Sequence, residues 1–153
     1  MRLALVTLVA LAVFGAACGD SDSGGSGNPT GPSGSSLAGN WKATRAEFVG
    51  VANTNQRVEV VARGTSITLS LVSGGTFTLT ITEPGKSPEV TNGSWTSTSD
   101  VLKMTPAGMS WSWEFDMSLN GNTLTLGGAT FEFDVNGDDH DEQAKLNMTL
   151  ARQ

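Results

Sequence analysis

The sequence predicts an all-β protein, an antiparallel meander closing into a barrel of eight to ten strands. Three observations predict it. Apolar and polar residues alternate in five separate runs between residues 66 and 150, the pattern of strands with one buried and one wet face. Glycines break the domain near every ten residues, the spacing of strands and turns in antiparallel sandwiches and barrels. No run places apolar residues at i, i+3, i+4 and i+7, as an amphipathic helix would.

The chain opens on an export signal. Met1-Arg2 supplies one positive charge, residues 3–14 are apolar or small except Thr7, and Gly15-Ala16-Ala17 leads into Cys18. The apolar stretch is too short for a mature membrane span, which takes roughly 20 residues. Phe14-Gly15-Ala16-Ala17-Cys18 resembles the lipobox of bacterial lipoproteins, with Gly15 where that pattern more often has Leu. The resemblance implies cleavage of residues 1–17, acylation of the Cys18 thiol by palmitate-type chains, and attachment to a membrane through lipid alone. Each buried methylene of such a chain contributes about 0.8 kcal/mol. Gly19 after the cysteine implies, by the same resemblance, passage to the outer membrane of the cell envelope. Ordinary signal cleavage after Ala17 fits the same small residues. Residues 19–36 contain six Gly, six Ser and two Pro among eighteen, too few apolar groups to offset ordering entropy. Residues 18–36 therefore read as an acylated cysteine on a flexible tether, spanning about 23 Å as a coil and about 60 Å fully extended.

Residues 37–153 form the domain, long enough to bury a core without staples. Ile67, Leu69 and Leu71 alternate with Ser66, Thr68 and Ser70, and Phe77, Leu79 and Ile81 with the threonines 76 to 82. Trp111, Trp113, Phe115, Met117 and Leu119 form a third series, Phe131, Phe133 and Val135 a fourth, and Leu146, Met148 and Leu150 a fifth. Ser73-Gly74-Gly75, Asn120-Gly121-Asn122 and Gly127-Gly128 read as tight hairpin turns. Such short connections favour strands that neighbour the next in sequence.

Composition excludes several function classes. One cysteine cannot form a disulfide within its own chain. A net charge of −6 argues against a phosphate-binding surface, so no nucleic-acid partner is expected. His140 is the only histidine and stands among carboxylates, no Gly-x-Ser-x-Gly occurs, and an acylated Cys18 leaves no thiol. No catalytic activity is expected, and no cofactor beyond the acyl lipid.

Leu37-Ala38-Gly39-Asn40-Trp41-Lys42 opens the domain with Gly-x-Trp, and Gly93-Ser94-Trp95 repeats that pattern. Gly75-Thr76-Phe77 follows a turn, Asn120 to Leu126 gives a later hairpin, and Arg152 closes the last strand. In this order the motifs resemble the compact bacterial lipocalin-like domain of the calycin barrels over about 115 residues. The resemblance implies a barrel closed at one end by Trp41 with Arg152 packed over it, a structural pair. The Thr-Asp-Tyr motif of true lipocalins is absent from a chain without tyrosine, and no helical pattern follows the last strand.

Two functional readings follow from the inward set. Phe77, Trp111, Trp113 and Phe115 would line a pocket for a small hydrophobic ligand, with Trp111 and Trp113 as an aromatic wall. The same side chains would equally fill a solid core, since eight strands enclose just enough space for either. The protein would then be an interaction module, recognising protein partners through polar loops around Asn53-Thr54-Asn55 and Pro84-Gly85-Lys86. Asp134-x-Asn136-x-Asp138 has the opening spacing of a calcium loop, but Asp139 stands where glycine is needed and Lys145 where the bidentate Glu belongs. A solvated acidic hairpin loop fits those residues as well.

Overall fold

The computed structural model describes residues 34–153; the expected export signal, Cys18 and most of the expected tether lie outside the described residues. One helical turn, Gly34–Leu37, leads into β1 (Gly39–Gly50), β2 (Arg57–Glu59), β3 (Ser66–Leu71), β4 (Thr76–Thr82) and β5 (Glu89–Ser97). The chain continues through β6 (Val101–Pro106), β7 (Trp113–Asn120), β8 (Thr123–Phe133) and β9 (Glu142–Arg152). β1 and β3 to β9 follow one another as an antiparallel meander, and β9 pairs back onto β1. The result is a closed eight-stranded barrel with β2 as one extra strand. Closure leaves no long exposed edge among these eight strands.

Alternation drives the fold. In β3, Ile67, Leu69 and Leu71 are buried while Ser66 and Thr68 face solvent. In β9, Ala144, Leu146, Met148 and Leu150 are buried between exposed Gln143, Lys145 and Asn147. Inward residues from every barrel strand meet in one continuous apolar cluster. Each large aliphatic or aromatic side chain buried there stabilises the fold by about 1.5–3 kcal/mol.

Two β-bulges reset that alternation. In β1 the register with β9 shifts between Ala43 and Arg45, so inward positions change from Trp41 and Ala43 to Ala46 and Phe48. The Thr44 hydroxyl donates to the Thr149 carbonyl at this step. The second bulge corrects the expected turn at Gly127-Gly128. Both glycines lie within the continuous strand β8, whose register with β9 shifts between Leu126 and Ala129. Gly128 takes φ of +89°, which an extra residue in a bulge demands and a side chain resists. The other two expected turns are found, at residues 72–75 and 121–122.

The seam between β1 and β3 needs a special closure. β3 pairs with β1 only over residues 39–42, and beyond it β2 pairs with Glu47 to Val49. In between, the Ala46 amide donates to the Glu59 carboxylate at 2.8 Å, and the Ala46 carbonyl accepts from Val60 at 2.9 Å. Glu59 also accepts the amides of Val61 and Ala62 in the following turn. Partial burial opposes ionisation of Glu59, but these backbone donors and nearby Arg45 outweigh it and hold the carboxyl below the ordinary glutamate range. The Glu59 side chain and the Val60 amide thus satisfy the Ala46 backbone groups that the departing β3 leaves without a ladder partner.

The connections differ between the two ends. Those joining β3 to β4, β5 to β6 and β7 to β8 are two to four residues long and share their end with the helical turn and the chain's last residues. The opposite end carries the longer connections, residues 51–56, 60–65, 83–88, 107–112 and 134–141.

Candidate functional site

The short-connection end is sealed. Trp41 is fully buried and donates its indole N–H to the Leu37 carbonyl at 2.9 Å. The Arg152 guanidinium lies 4.2 Å from the Trp41 ring centroid. It donates to the carbonyls of Ala38 at 2.8 Å and Ser36 at 2.5 Å, pinning the incoming chain beneath the barrel. Trp41 and Arg152 are also direct partners in the β1–β9 register. The structure brings the two together, the indole filling this end of the barrel and the cation lying over it.

The long-connection end is different. Val58 and Val135 are buried there, whereas six large inward side chains beside them are only half-buried: Phe48 on β1, Leu79 and Ile81 on β4, Trp113 on β7, and Phe131 and Phe133 on β8. Their rings form a chain of contacts across one wall. Phe48 stacks flat on Phe133 with centroids 4.0 Å apart and meets Phe131 edge-on at 6.2 Å. Trp113 lies 5.4 Å from Phe131, and Trp111 meets Trp113 edge-on at 5.5 Å. Leu79 and Ile81 face this wall from β4, so the barrel mouth is lined by apolar surface that remains in partial contact with water. Ring contacts of this kind hold the geometry of the wall, the flat stack covering the facing sides of Phe48 and Phe133.

The four residues expected to line a pocket do converge here, at different depths. Phe77 and Phe115 are each 2% exposed and form the floor. Phe77 touches Trp113 at 6.5 Å, and Phe115 touches Phe131 at 6.3 Å. Trp113 stands above them at the start of β7. Trp111 is a correction: it precedes the strand, lies in the 107–112 connection and is 48% exposed at the rim. β6 ends at Pro106 and offers its last ladder pair, Met104 with Trp113, so nothing extends β7 back to Trp111. Phe48 was not anticipated, because the Thr44 bulge hides its inward direction; the short series Ala46, Phe48, Gly50 is the signal that carries it.

The acidic connection between β8 and β9 sits on the same end. The carboxylate oxygens of Asp134, Asp138 and Glu142 lie within 4.8 Å of one another. Asp134 accepts the amides of Gly137 at 2.6 Å, Asn136 at 3.2 Å and Asp139 at 3.1 Å. The Gly137 amide first, opposed by burial and joined by the other amides, holds the Asp134 carboxyl below the ordinary aspartate range. Asn136 is turned differently from a calcium ligand. Its side-chain carbonyl accepts the Asp138 amide, while its NH2 group donates to Asp138 at 3.1 Å and Glu142 at 2.6 Å. The side chains of this loop are thus engaged in shaping it, and Val135 tucks inward beside Gly50 although β8 ends at Phe133. His140 is exposed, its amide bonded to Asp138.

A shallow groove also runs along the outer wall, lined by Thr76, Thr78, Asn92, Ser94, Thr105 and Met109. Its polar residues are the outward members of β4, β5 and β6 and converge on no charged group. No family model matches this chain, and no curated protein matches it by sequence.

Proposed function

We propose that the protein is a lipid-anchored component of a bacterial envelope whose lipocalin-like barrel binds a small hydrophobic molecule at its open end. The observation that carries the reading is the difference between the two ends. Most inward side chains at the sealed end are excluded from water, with Leu119 half-buried there, whereas the large aromatic and aliphatic residues around the mouth, Phe48, Ile81, Trp113, Phe131 and Phe133, are all half-wet. An apolar ligand would complete the burial of Phe48, Trp113, Phe131 and Ile81, and each Å² removed from water contributes roughly 25 cal/mol. The chain enters at the sealed end, so a tether from Cys18 would leave the mouth unobstructed.

The test is a titration with the neutral fluorophore N-phenyl-1-naphthylamine, followed through its own emission and that of tryptophan. Saturable binding is expected, with at least tenfold weaker affinity in Trp113→Ala, a change of about 1.4 kcal/mol. Trp113 is only half-buried, so the fold should survive its truncation. No saturable binding, or binding indifferent to that substitution, would sink the reading. The anchor has its own readout. Mass spectrometry of the protein extracted from membranes should show acyl mass on a fragment beginning at Cys18; an unmodified thiol there would reject it.

A second reading is favoured by the tight packing below the mouth, where Leu69, Leu71, Leu102, Leu124, Leu126 and Leu150 are at most 2% exposed. On that reading the barrel is a solid module that meets protein partners through its loops. Failure of the fluorophore titration is the outcome that would select it.

A further inference from the structure

The charge of the domain is concentrated at the aromatic mouth. Segments 57–65, 83–89 and 134–142, which surround it, hold eight carboxylates against three cationic side chains, Arg57, Arg63 and Lys86. Arg57 is already paired with Glu47, and Lys86 with Glu83. The connections at the sealed end and the last residues of β9 hold one acid, Asp100, and one base, Arg152.

Two of the carboxylates sit on the inner face itself. Glu142 is the cross-strand partner of Phe133, and Glu89 is the partner of Ile81. Paired residues in an antiparallel ladder project to the same face, so Glu89 at the start of β5 and Glu142 at the start of β9 share the inner face with the apolar lining. Among the described residues no ion pair reaches Glu89, Asp134, Asp138 or Glu142, and the neutral donors on Glu142, the Val135 amide at 3.2 Å and the Asn136 NH2 group at 2.6 Å, leave its negative charge in place. Below these charges lie the half-buried rings of Trp113, Phe131 and Phe133, and aromatic faces attract cations through their quadrupole. An apolar surface rimmed by one sign of charge also attracts an incoming ion of the opposite sign.

We infer that the occupant of the mouth is a cationic amphiphile, an amine or quaternary ammonium carrying an apolar body, with its head between Glu89 and Glu142 and its body on the aromatic wall. The inference rests on the hydrophobic-ligand reading above and adds the sign of the ligand's charge. A carboxylate or sulfate amphiphile of the same length would bring like charge against Glu89 and Glu142 and is disfavoured.

Competition against N-phenyl-1-naphthylamine distinguishes the two levels. The competitors are decyltrimethylammonium, decanol and decanoate at low ionic strength, each below its micelle threshold. The ammonium is expected to compete at least tenfold more tightly than decanol, and decanoate more weakly than decanol. Raising the salt should narrow the gap, because the rim charges are screened. In Glu89→Gln combined with Glu142→Gln the preference for the ammonium should fall to within about threefold of decanol while decanol itself is unchanged. Asp100→Asn, at the sealed end, should leave the preference intact. If the neutral probe binds and decanoate competes as well as the ammonium, the charge assignment is overturned while the hydrophobic-ligand reading stands. If the neutral probe does not bind, both fall together.

Discussion

Gly93→Ala is expected to destabilise the barrel by about 3 kcal/mol or more, at the upper end of what overpacking costs. Gly93 sits in β5 opposite Phe77 on one side and Pro106 on the other. A Cβ built there would collide with the Thr105 carbonyl oxygen, lie 2.9 Å from the Pro106 Cα and 2.6 Å from the Phe77 ring. Two of those three neighbours are backbone of β6, so no rotamer change relieves the clash, and the strands themselves would have to separate. Phe77 fills the space over the glycine, much as an aromatic neighbour shields a strand glycine elsewhere. Gly74 gives the contrast, since a Cβ there meets nothing within 4 Å and its φ is ordinary. Gly74→Ala should be neutral or stabilising by up to about 1 kcal/mol through the unfolded chain. Urea unfolding of the two variants checks both statements, and equal effects would show that the β5–β6 contact is not what Gly93 serves.

The same residue shows how far the sequence is legible. Gly93-Ser94-Trp95 stood out as a motif, yet only the register reveals why its glycine is needed. Strands with unbroken alternation, such as β3, β4 and β9, were readable because one face is apolar and the other is Ser, Thr or charged. Where a bulge inserts one residue, the parity of everything beyond it changes. That is why Phe48 was missed and why Gly127-Gly128, two glycines in a row, looked like a turn. Trp111 fits the alternation of β7 perfectly but has no ladder partner, because β6 stops at Pro106. Pairing depends on the neighbouring strand's length, which periodicity within one segment does not contain. The mouth was partly legible for a related reason. Its rings are spaced as inward residues, but their half-exposure comes from their height in a tilted barrel, a property of all eight strands together. The acidic loop was visible as composition, whereas the placement of Glu142 beside Phe133 emerges only from the β8–β9 pairing.

Trp41→Ala should cost about 3–5 kcal/mol, the loss expected for truncating a fully buried tryptophan, and lower the thermal midpoint by on the order of 10–20 °C. Several contacts fail together. The indole volume is lost from the sealed end, the Leu37 carbonyl loses its donor, and Arg152 loses the ring beneath its guanidinium. An empty plug also loosens the helical turn, since Arg152 holds the carbonyls of Ser36 and Ala38 only while it is itself held. Arg152→Ala should cost less, about 1–3 kcal/mol, because the indole remains and only charge-assisted hydrogen bonds and the cation–π contact disappear. The two side chains touch, so their effects should not add: the double variant is expected to be more stable than the sum of the two losses by at least 0.5 kcal/mol. Thermal and urea unfolding of the two single variants and the double variant measure that coupling. Strict additivity would mean that Trp41 and Arg152 seal the barrel independently, and the picture of a plug clamped by a cation would have to be abandoned. Because the pair lies at the opposite end from Phe48, Trp113 and Phe133, Arg152→Ala should leave binding of a neutral fluorophore at the mouth unchanged under conditions where the variant is folded. A loss of binding in that variant would instead tie the mouth's geometry to the seal, through the shared strand β1 that carries both Trp41 and Phe48.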